Sequence, residues 1–356
     1  MAALPPPLST LVARVPPRAR VPLAVGVTAV AARRLQLRTW RPRDASARRA
    51  NGGAPLPAVD ATGATPLVVR SPSGVELYVR LWRGKHTPPR GTLLLLHGLC
   101  WHGAWFAPLA RRLAAAGFDV VAPDLQGHGL SGCVDAGFRA YADSLDVWAG
   151  DAAAALRAAA RPEAATAPTF VLGESLGGAV ALRAWLSNTL RPTGGLLLLG
   201  PFVRLPPGDA PPPPAVALLR ALAALFPHAQ LPPTDSDEAF NAAFGDQAQA
   251  AKARADPLVV RTAPRLGTAG AILGGTAANA ARLAAVAPPA LLVLHGDADT
   301  RTAFSGSEEL VRRCGVGDKT LVRMAGGRHQ LLQDKGEVTE RAMQAVEAWL
   351  LSHTHA

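Results

Sequence analysis

Short, fully apolar runs alternate with segments of helical spacing over most of this chain. Apolar runs of four to eight residues indicate strands buried on both faces, and apolar residues recurring every three or four positions indicate helices. The pattern predicts strands at Thr92–His97, Phe118–Ala122, Thr169–Gly173, Gly195–Gly200, Ala290–His295 and Thr320–Met324. It predicts helices at Ala107–Ala116, Ala140–Ala160, Ser175–Ser187 and Val338–Leu351. This alternation favours an α/β fold, in which a mostly parallel, doubly wound sheet carries helices on both faces.

Two parts of the chain depart from this alternation. Pro66–Arg70 and Val75–Trp82 flank a Ser-Pro-Ser-Gly turn, which predicts an antiparallel hairpin before the parallel strands. The alternation stops at Pro201, and a Pro-rich stretch leads into Ala215–Phe226, whose leucines form one apolar helical face. We therefore expect residues 201–287 to be a helical cap insertion between two parts of one core domain, residues 61–200 and 288–356.

The positive charge of the chain is concentrated at its start. Residues 1–50 hold ten Arg, no Lys and one acid, Asp44, so they carry +9 of the net charge of +11. The remainder is close to neutral, which argues against a nucleic-acid partner for the folded part.

The first 60 residues are rich in Ala, Pro and Arg, a composition typical of an organelle transit peptide. We expect a chloroplast address, with the mitochondrion or cytoplasm as alternatives. A merely disordered N-terminus is a further alternative. A secretory signal is another, since Val21–Ala32 resembles its apolar segment.

Neither membrane spans nor metal motifs stand out in the sequence. No apolar run approaches the roughly 18 residues that a spanning helix needs. The three cysteines, Cys100, Cys133 and Cys314, have unrelated spacings that indicate neither a disulfide framework nor a metal site.

One pentapeptide carries the candidate chemistry. Gly173-Glu174-Ser175-Leu176-Gly177 matches G-x-S-x-G and lies between a predicted strand and a predicted helix. Such a sharp turn lifts the serine hydroxyl clear of the sheet, and the first amides of the helix favour developing negative charge. The amide of Leu176 is then one candidate oxyanion donor. The amide of Leu99, in the loop after Thr92–His97, is the second.

A serine nucleophile in this arrangement needs an acid and a histidine that follow it in the chain, in that order. His329 is the candidate base, because it follows the strand Thr320–Met324 through a Gly-Gly loop. The loop after Ala290–His295 offers two carboxylates, Asp297 and Asp299, as the acid. Asp297 is also a candidate for holding its loop through hydrogen bonds to the backbone.

Other residues near these motifs invite a functional or a structural interpretation. Glu174 precedes the candidate nucleophile, but at that position we expect a side chain that points into the fold. Trp101 and Trp105 follow the candidate oxyanion loop, where either can line a pocket or simply pack.

Four segments together resemble the monoacylglycerol lipase-like α/β hydrolases, including the serine aminopeptidase S33-type domain. They are HGLCWHGAWFAPLARRLAAAGFDVVAPDLQGHGLSG, GESLGGAVAL, LLVLHGDAD and GGRHQLL. The resemblance covers residues 66–352 and is strongest to the plant branch with its caffeoylshikimate esterase-like members. Cys100 is a departure, since the family usually has glycine at the second position after its His-Gly pair.

The resemblance implies an α/β-hydrolase fold with a helical cap and no cofactor. It implies Ser175 as nucleophile, Asp299 as acid and His329 as base, with oxyanion donors at Leu99 and Leu176. It also implies hydrolysis of a monoacylglycerol, with lysophospholipase or caffeoylshikimate-type esterase activity as alternatives. A ligand receptor on a hydrolase scaffold is an alternative of another class. The apolar cap helix is a candidate for peripheral membrane contact.

Overall fold

One twisted sheet organises the chain. The computed structural model describes residues 56–135, 137–232 and 236–354, so the transit-peptide prediction falls almost wholly outside the described residues. Within them, eight strands pair in the order β1-β2-β4-β3-β5-β6-β7-β8. The strands are β1 Thr65–Arg70, β2 Glu76–Trp82, β3 Thr92–Leu96, β4 Asp119–Pro123, β5 Thr169–Glu174, β6 Gly195–Leu199, β7 Ala290–Gly296 and β8 Asp318–Met324.

The sheet combines an antiparallel edge with a parallel body. β1 and β2 form the expected hairpin, and β2 runs antiparallel to β4. The other six strands, in the sheet order β4, β3, β5, β6, β7 and β8, are mutually parallel. The α/β prediction is thus confirmed. Parallel strands bring their carboxyl ends to one edge, which is where sites form in such sheets.

Helices cover both faces of the sheet. They are α1 Ala107–Ala115, α2 Leu145–Ala159, α3 Leu176–Leu186, α4 Pro213–Leu225, α5 Asp237–Ala242, α6 Gln247–Ala255, α7 Leu266–Ala281, α8 Phe304–Arg313 and α9 Gly336–Ser352. The leucines of β3 show why two layers form, because Leu93 and Leu95 enter one apolar cluster and Leu94 and Leu96 enter the other. A strand that is apolar on both faces is stable only between two helical layers.

Two helices differ from the sequence-based expectation. The helix predicted from Ala140 begins only at Leu145. Ala140 adopts a left-handed backbone conformation, and the Ser144 side chain caps the helix by accepting from the amide of Asp146. Helix α8 was not predicted, because it is short and mostly polar, and its few buried side chains include Leu310.

Helices α4 to α7 lie between β6 and β7 in the chain. This stretch is not one continuous helical segment, because Ser236 and Asp246 each accept a backbone hydrogen bond and start a new helix. Helix α4 packs on α7 and has no fully buried residue. Among the described residues, no helix has the length and apolar character needed to cross a membrane.

Candidate active site

Ser175 occupies a strained turn between β5 and α3. Its φ of 53° and ψ of −116° lie in a region that non-glycine residues rarely adopt. Backbone hydrogen bonds hold the turn, since the Ser175 amide donates to Leu199 O at 3.0 Å and Phe202 donates to Ser175 O at 2.9 Å. Strain at a single residue persists only where its surroundings over-determine it, and here the neighbouring strand β6 and the segment after it provide that constraint.

The glycines on either side of Ser175 are required by close backbone approach. A Cβ atom on Gly177 would collide with the carbonyl of Leu96 at the end of β3. A Cβ atom on Gly173 would collide with the backbone of Gly177 across the turn. The motif therefore requires glycine at these two positions because no side chain fits between the backbone segments.

The candidate base and acid are in direct contact. His329 Nδ1 donates to Asp299 Oδ2 at 2.8 Å, and both side chains are buried. An imidazole protonated on Nδ1 keeps Nε2 as an acceptor, the form needed to take a proton from a serine hydroxyl. Ser175 and His329 line the same cavity, so the three predicted residues meet at the carboxyl edge of the sheet.

Asp299 is held as a carboxylate by several donors. One oxygen accepts from the amides of Arg301 and Thr302, at 2.7 Å and 3.0 Å. The other accepts from the Thr302 hydroxyl at 2.8 Å and lies 3.3 Å from His295 Nε2. Burial opposes ionisation, but the field of His329 and the hydrogen bonds from His295, His329 and Thr302 outweigh it, so the pKa of Asp299 lies well below its usual range.

The two carboxylates of this loop do different things. Asp297 is exposed, and it accepts a hydrogen bond from the amide of Gly326 at 2.9 Å. It fastens the loop after β7 to the loop that carries His329. Of the two, the structure brings Asp299 onto His329.

The loop after β3 passes directly beside Ser175. A Cβ atom placed on Gly98 would lie 3.3 Å from the Cβ of Ser175. Leu99 and Leu176, the two candidate oxyanion residues, line the cavity with Ser175. Leu176 is the first residue of α3, and amides in a first helical turn have no acceptor within their own helix.

Cys100 adopts a conformation that glycine takes more easily. Its φ is 71°, and the turn around it is closed by a hydrogen bond from the Trp101 amide to Gly98 O at 3.2 Å. The position where the related family usually has glycine is thus a left-handed one. The Cys100 carbonyl accepts from the Val260 amide at 2.9 Å, which ties this loop to the segment between α6 and α7.

The cavity in front of Ser175 has a volume of about 690 Å³. Its apolar lining includes Trp101, Phe202, Phe240, Phe244, Val259 and Ile272. Its polar lining includes Asp209, Arg261, Arg301, Thr302 and Gln330. A cavity of this size and mixed character is suited to a small organic ligand with an apolar portion.

The two tryptophans have separate positions. Trp101 lines the cavity and stacks near Phe240, with ring centroids 6.5 Å apart. Trp105 packs edge-on against Trp101, and its indole N–H donates to Asp256 at 3.1 Å. Trp101 therefore forms the wall and Trp105 supports it.

Several contacts around the triad escaped the sequence analysis. Thr302 donates to the candidate acid Asp299. The His295 ring shares a hydrogen bond with the Ser307 hydroxyl at 2.7 Å and lies 3.3 Å from the Asp299 carboxylate. Gln330 contacts residues from distant segments. No spacing rule connects these positions, because they meet only after the sheet has formed. Within the described residues, no group of three or more candidate ligands could hold a metal ion.

Comparison with known proteins places this geometry in a family. A family model described as Hydrolase_4, serine aminopeptidase S33, matches residues 87–336. The monoacylglycerol lipase of Mycolicibacterium smegmatis is 31% identical over 280 residues, covering 79% of this chain and 94% of that protein. The caffeoylshikimate esterase of Arabidopsis thaliana is 27% identical, covering 73% of this chain and 77% of that protein.

Solved structures agree with the fold. The crystal structure of a Paleococcus ferrophilus monoacylglycerol lipase superposes with a TM-score of 0.67 at 25% identity, covering 78% of this chain and 99% of that one. The resemblance to the monoacylglycerol lipase-like hydrolases inferred from the four sequence segments is therefore confirmed, and so is the α/β-hydrolase fold, whereas the assignment to the plant branch stays a prediction. This chain belongs to the serine aminopeptidase S33 family of α/β hydrolases.

Proposed function

We propose that this protein is a serine carboxylic-ester hydrolase that cleaves monoacylglycerols into a fatty acid and glycerol. One observation carries the proposal: His329, which donates to Asp299 at 2.8 Å, lines the same cavity as Ser175, and Ser175 sits on a strained strand-to-helix turn. The names of its relatives support the same chemistry. They include a monoacylglycerol lipase that this chain matches over most of its length.

The proposed reaction proceeds in two steps. His329 takes the hydroxyl proton of Ser175 as the serine oxygen attacks the ester carbonyl, and Asp299 stabilises the imidazolium that forms. The amides of Leu99 and Leu176 donate to the oxyanion, and glycerol leaves with the proton from His329. Water then attacks the acyl-serine with His329 as base, which releases the fatty acid and restores Ser175.

The form of the cavity supports a substrate with one acyl chain. Aromatic and aliphatic side chains from the segment between β6 and β7 form its apolar wall, including Phe240, Phe244 and Ile272. An apolar wall favours an acyl chain, because burying each methylene is worth about 0.8 kcal/mol. Lysophospholipids and phenolic esters are the competing substrate classes, and the Arabidopsis relative supports the second of them.

The nucleophile and the substrate class can be tested together. Wild-type protein should hydrolyse long-chain monoacylglycerols with a higher kcat/KM than lysophospholipids or caffeoyl esters. Ser175→Ala should lower the rate by about four orders of magnitude or more, because the covalent intermediate cannot form. Ser187→Ala, at the exposed end of α3, is the matched control. Hydrolysis retained by Ser175→Ala would contradict the proposal, and binding without multiple turnovers would indicate a receptor.

The two carboxylates of one loop provide an internal comparison. Asp299→Asn should lower kcat by about 10⁴-fold, because the amide disfavours the productive tautomer of His329. Asp297→Asn should change kcat by less than about tenfold, because the Asn side-chain oxygen can still accept the hydrogen bond from the Gly326 amide. The measurement is kcat on a soluble short-chain ester. Equal losses in the two variants would exclude a special role for Asp299.

We further propose that helix α4 contacts lipid surfaces. Leu218 is 60% exposed and Phe226, which follows the helix, is 55% exposed, although both are large and apolar. The helix contains a single charged residue, Arg220. An exposed apolar helix that packs on α7, the helix that contributes Ile272 to the cavity wall, suits an enzyme whose substrate resides in a membrane or droplet.

Vesicle binding tests this surface. The double variant Leu218→Ser, Phe226→Ser should bind phosphatidylcholine vesicles several-fold more weakly, because it removes apolar area that would enter the interface. Its kcat on a water-soluble ester should stay within about twofold of wild type. Val59→Ser is the matched control, because Val59 is 57% exposed and lies before β1. Unchanged vesicle binding in the double variant would refute the proposal.

For the N-terminal leader, residues 1–60, we propose a chloroplast transit function, which rests on its arginine-rich, acid-poor composition. Residues 1–60 fused to a fluorescent protein should direct it into chloroplasts in plant or algal cells. A fusion with the ten arginines of residues 1–50 changed to Gln is the matched control and should remain outside. Diffuse cytosolic fluorescence from the unchanged leader would count against the proposal, and a mitochondrial pattern would favour the alternative address.

A further inference from the structure

A buried cluster of polar side chains lies next to Ser175 and His329 and reaches the cavity wall at Gln330. Glu174 directly precedes the nucleophile, and Gln330 directly follows the base. Both side chains are buried, and the mechanism above uses neither. A buried polar cluster is costly unless its members satisfy one another, so the contacts made by these two residues need a physical account.

The Gln330 amide is satisfied in one orientation. In it, the side-chain oxygen accepts from the indole N–H of Trp101 at 3.1 Å. The nitrogen donates to Glu174 Oε1 at 3.3 Å and to Gln333 Oε1 at 3.2 Å. An amide supplies an acceptor and two donors on one planar group, which a carboxylate or an apolar side chain cannot do.

The contacts of Gln330 join four separate segments. Its side chain reaches the nucleophile turn through Glu174 and the oxyanion loop through Trp101. Its backbone amide donates to Ala243 O at 3.0 Å, after α5. Gln333 extends the cluster, because its side chain donates to the Trp105 carbonyl at 3.2 Å. The loop that carries His329 is thereby fixed to the three segments that surround the reacting groups.

The charge state of Glu174 matters to this arrangement. Burial raises the pKa of Glu174 to about 8, so the side chain is a neutral acid at pH 7. A neutral acid next to Ser175 does not repel the negative charge that develops on the oxyanion. An ionised carboxylate at the same place would repel it.

Other titratable groups lie on the elements that border Glu174. His97 follows β3, and burial lowers the pKa of His97 to about 4, so it is uncharged and offers Glu174 no counter-ion at neutral pH. The loop after β8 carries Arg328, His329 and Asp334. The Arg328 side chain donates to Ala242 O at the end of α5, at 3.2 Å, and Asp334 accepts from the Arg328 amide within the same loop.

We propose that Gln330 is a positioning residue for ester hydrolysis, held by Glu174, and that it sets His329 and the Trp101 wall relative to Ser175. The inference rests on the proposed function, because it assigns a role around the same triad. Small displacements of a base from its reacting atom cost large factors in rate. A side chain that fixes the base, the pocket wall and the nucleophile turn together therefore acts on kcat.

Kinetics of paired variants test this role. Gln330→Leu should lower kcat on a soluble ester by about 10- to 100-fold, with KM changed less than about threefold. Gln344→Leu, an exposed glutamine on α9, is the matched control. Glu174→Leu should resemble Gln330→Leu, and the double variant should be no slower than either, because both changes break one cluster. A folded Gln330→Leu protein with wild-type kcat would overturn the proposal.

The pH profile separates positioning from mere packing. Glu174→Gln keeps a neutral hydrogen-bonding group, so it should rescue most of the activity that Glu174→Leu loses at pH 7. The wild-type kcat should fall above about pH 8 as Glu174 ionises, whereas the Gln variant should not show this fall. Parallel alkaline falls in both proteins, or no rescue at pH 7, would overturn the proposal.

Thermal unfolding reports the charge state without using activity. An unfolded glutamate releases its proton near pH 4.3, whereas folded Glu174 keeps it up to about pH 8. The folded state then binds more protons between these values, so this group lowers stability as the pH rises through the window. The change Glu174→Gln should therefore raise Tm at pH 7 by more than it does at pH 4. An equal effect at both pH values would refute a neutral buried acid.

Ser175→Ala, measured beside these variants, keeps the two proposals distinguishable. If Ser175→Ala abolishes turnover and Gln330→Leu does not lower kcat, the function stands and the positioning role fails. If Ser175→Ala retains turnover, the proposed function fails and the inference built on it fails with it.

Discussion

The sharp turn at Ser175 is the constraint on which the rest of the site depends. A residue with a side chain at a φ of 53° is strained. The conformation persists because Ser175 is hydrogen-bonded to β6 and closely packed between β3 and the start of α3. The two flanking glycines allow the strand ends to approach that closely. The turn places the hydroxyl at the carboxyl edge of the sheet and points the first amides of α3 toward the same space.

Every other part of the site is positioned relative to this turn by the parallel sheet. The proposed acid, Asp299, comes from the loop after β7, and the proposed base, His329, comes from the loop after β8. These strands are neighbours, so the contact between the two residues is a consequence of strand order. The candidate oxyanion loop follows β3, which pairs with β5. The segment between β6 and β7 closes the cavity and is tied to the oxyanion loop through Val260 and Cys100.

Much of this arrangement could be predicted from the sequence, because it follows local rules. Apolar runs give strands, strands alternating with helices give a parallel sheet, and the pentapeptide gives the turn at Ser175. Residue patterns alone left Asp297 and Asp299 as alternatives, since both follow the same strand. The contacts of Gln330, Thr302 and His295 were not predictable, because they join residues that are far apart in the chain and meet only in the folded state. The start of α2 was missed for a local reason, the left-handed residue Ala140 ahead of the Ser144 cap.

The central claim is that Ser175 is the group that becomes acylated. Its most direct test is to react the wild-type protein with a fluorophosphonate at stoichiometric amounts and locate the adduct by peptide mass spectrometry. The account predicts a single modification, on the peptide containing Ser175, that is slowed by competing monoacylglycerol. An adduct on another residue, or an unmodified Ser175 in protein that still hydrolyses esters, would contradict it.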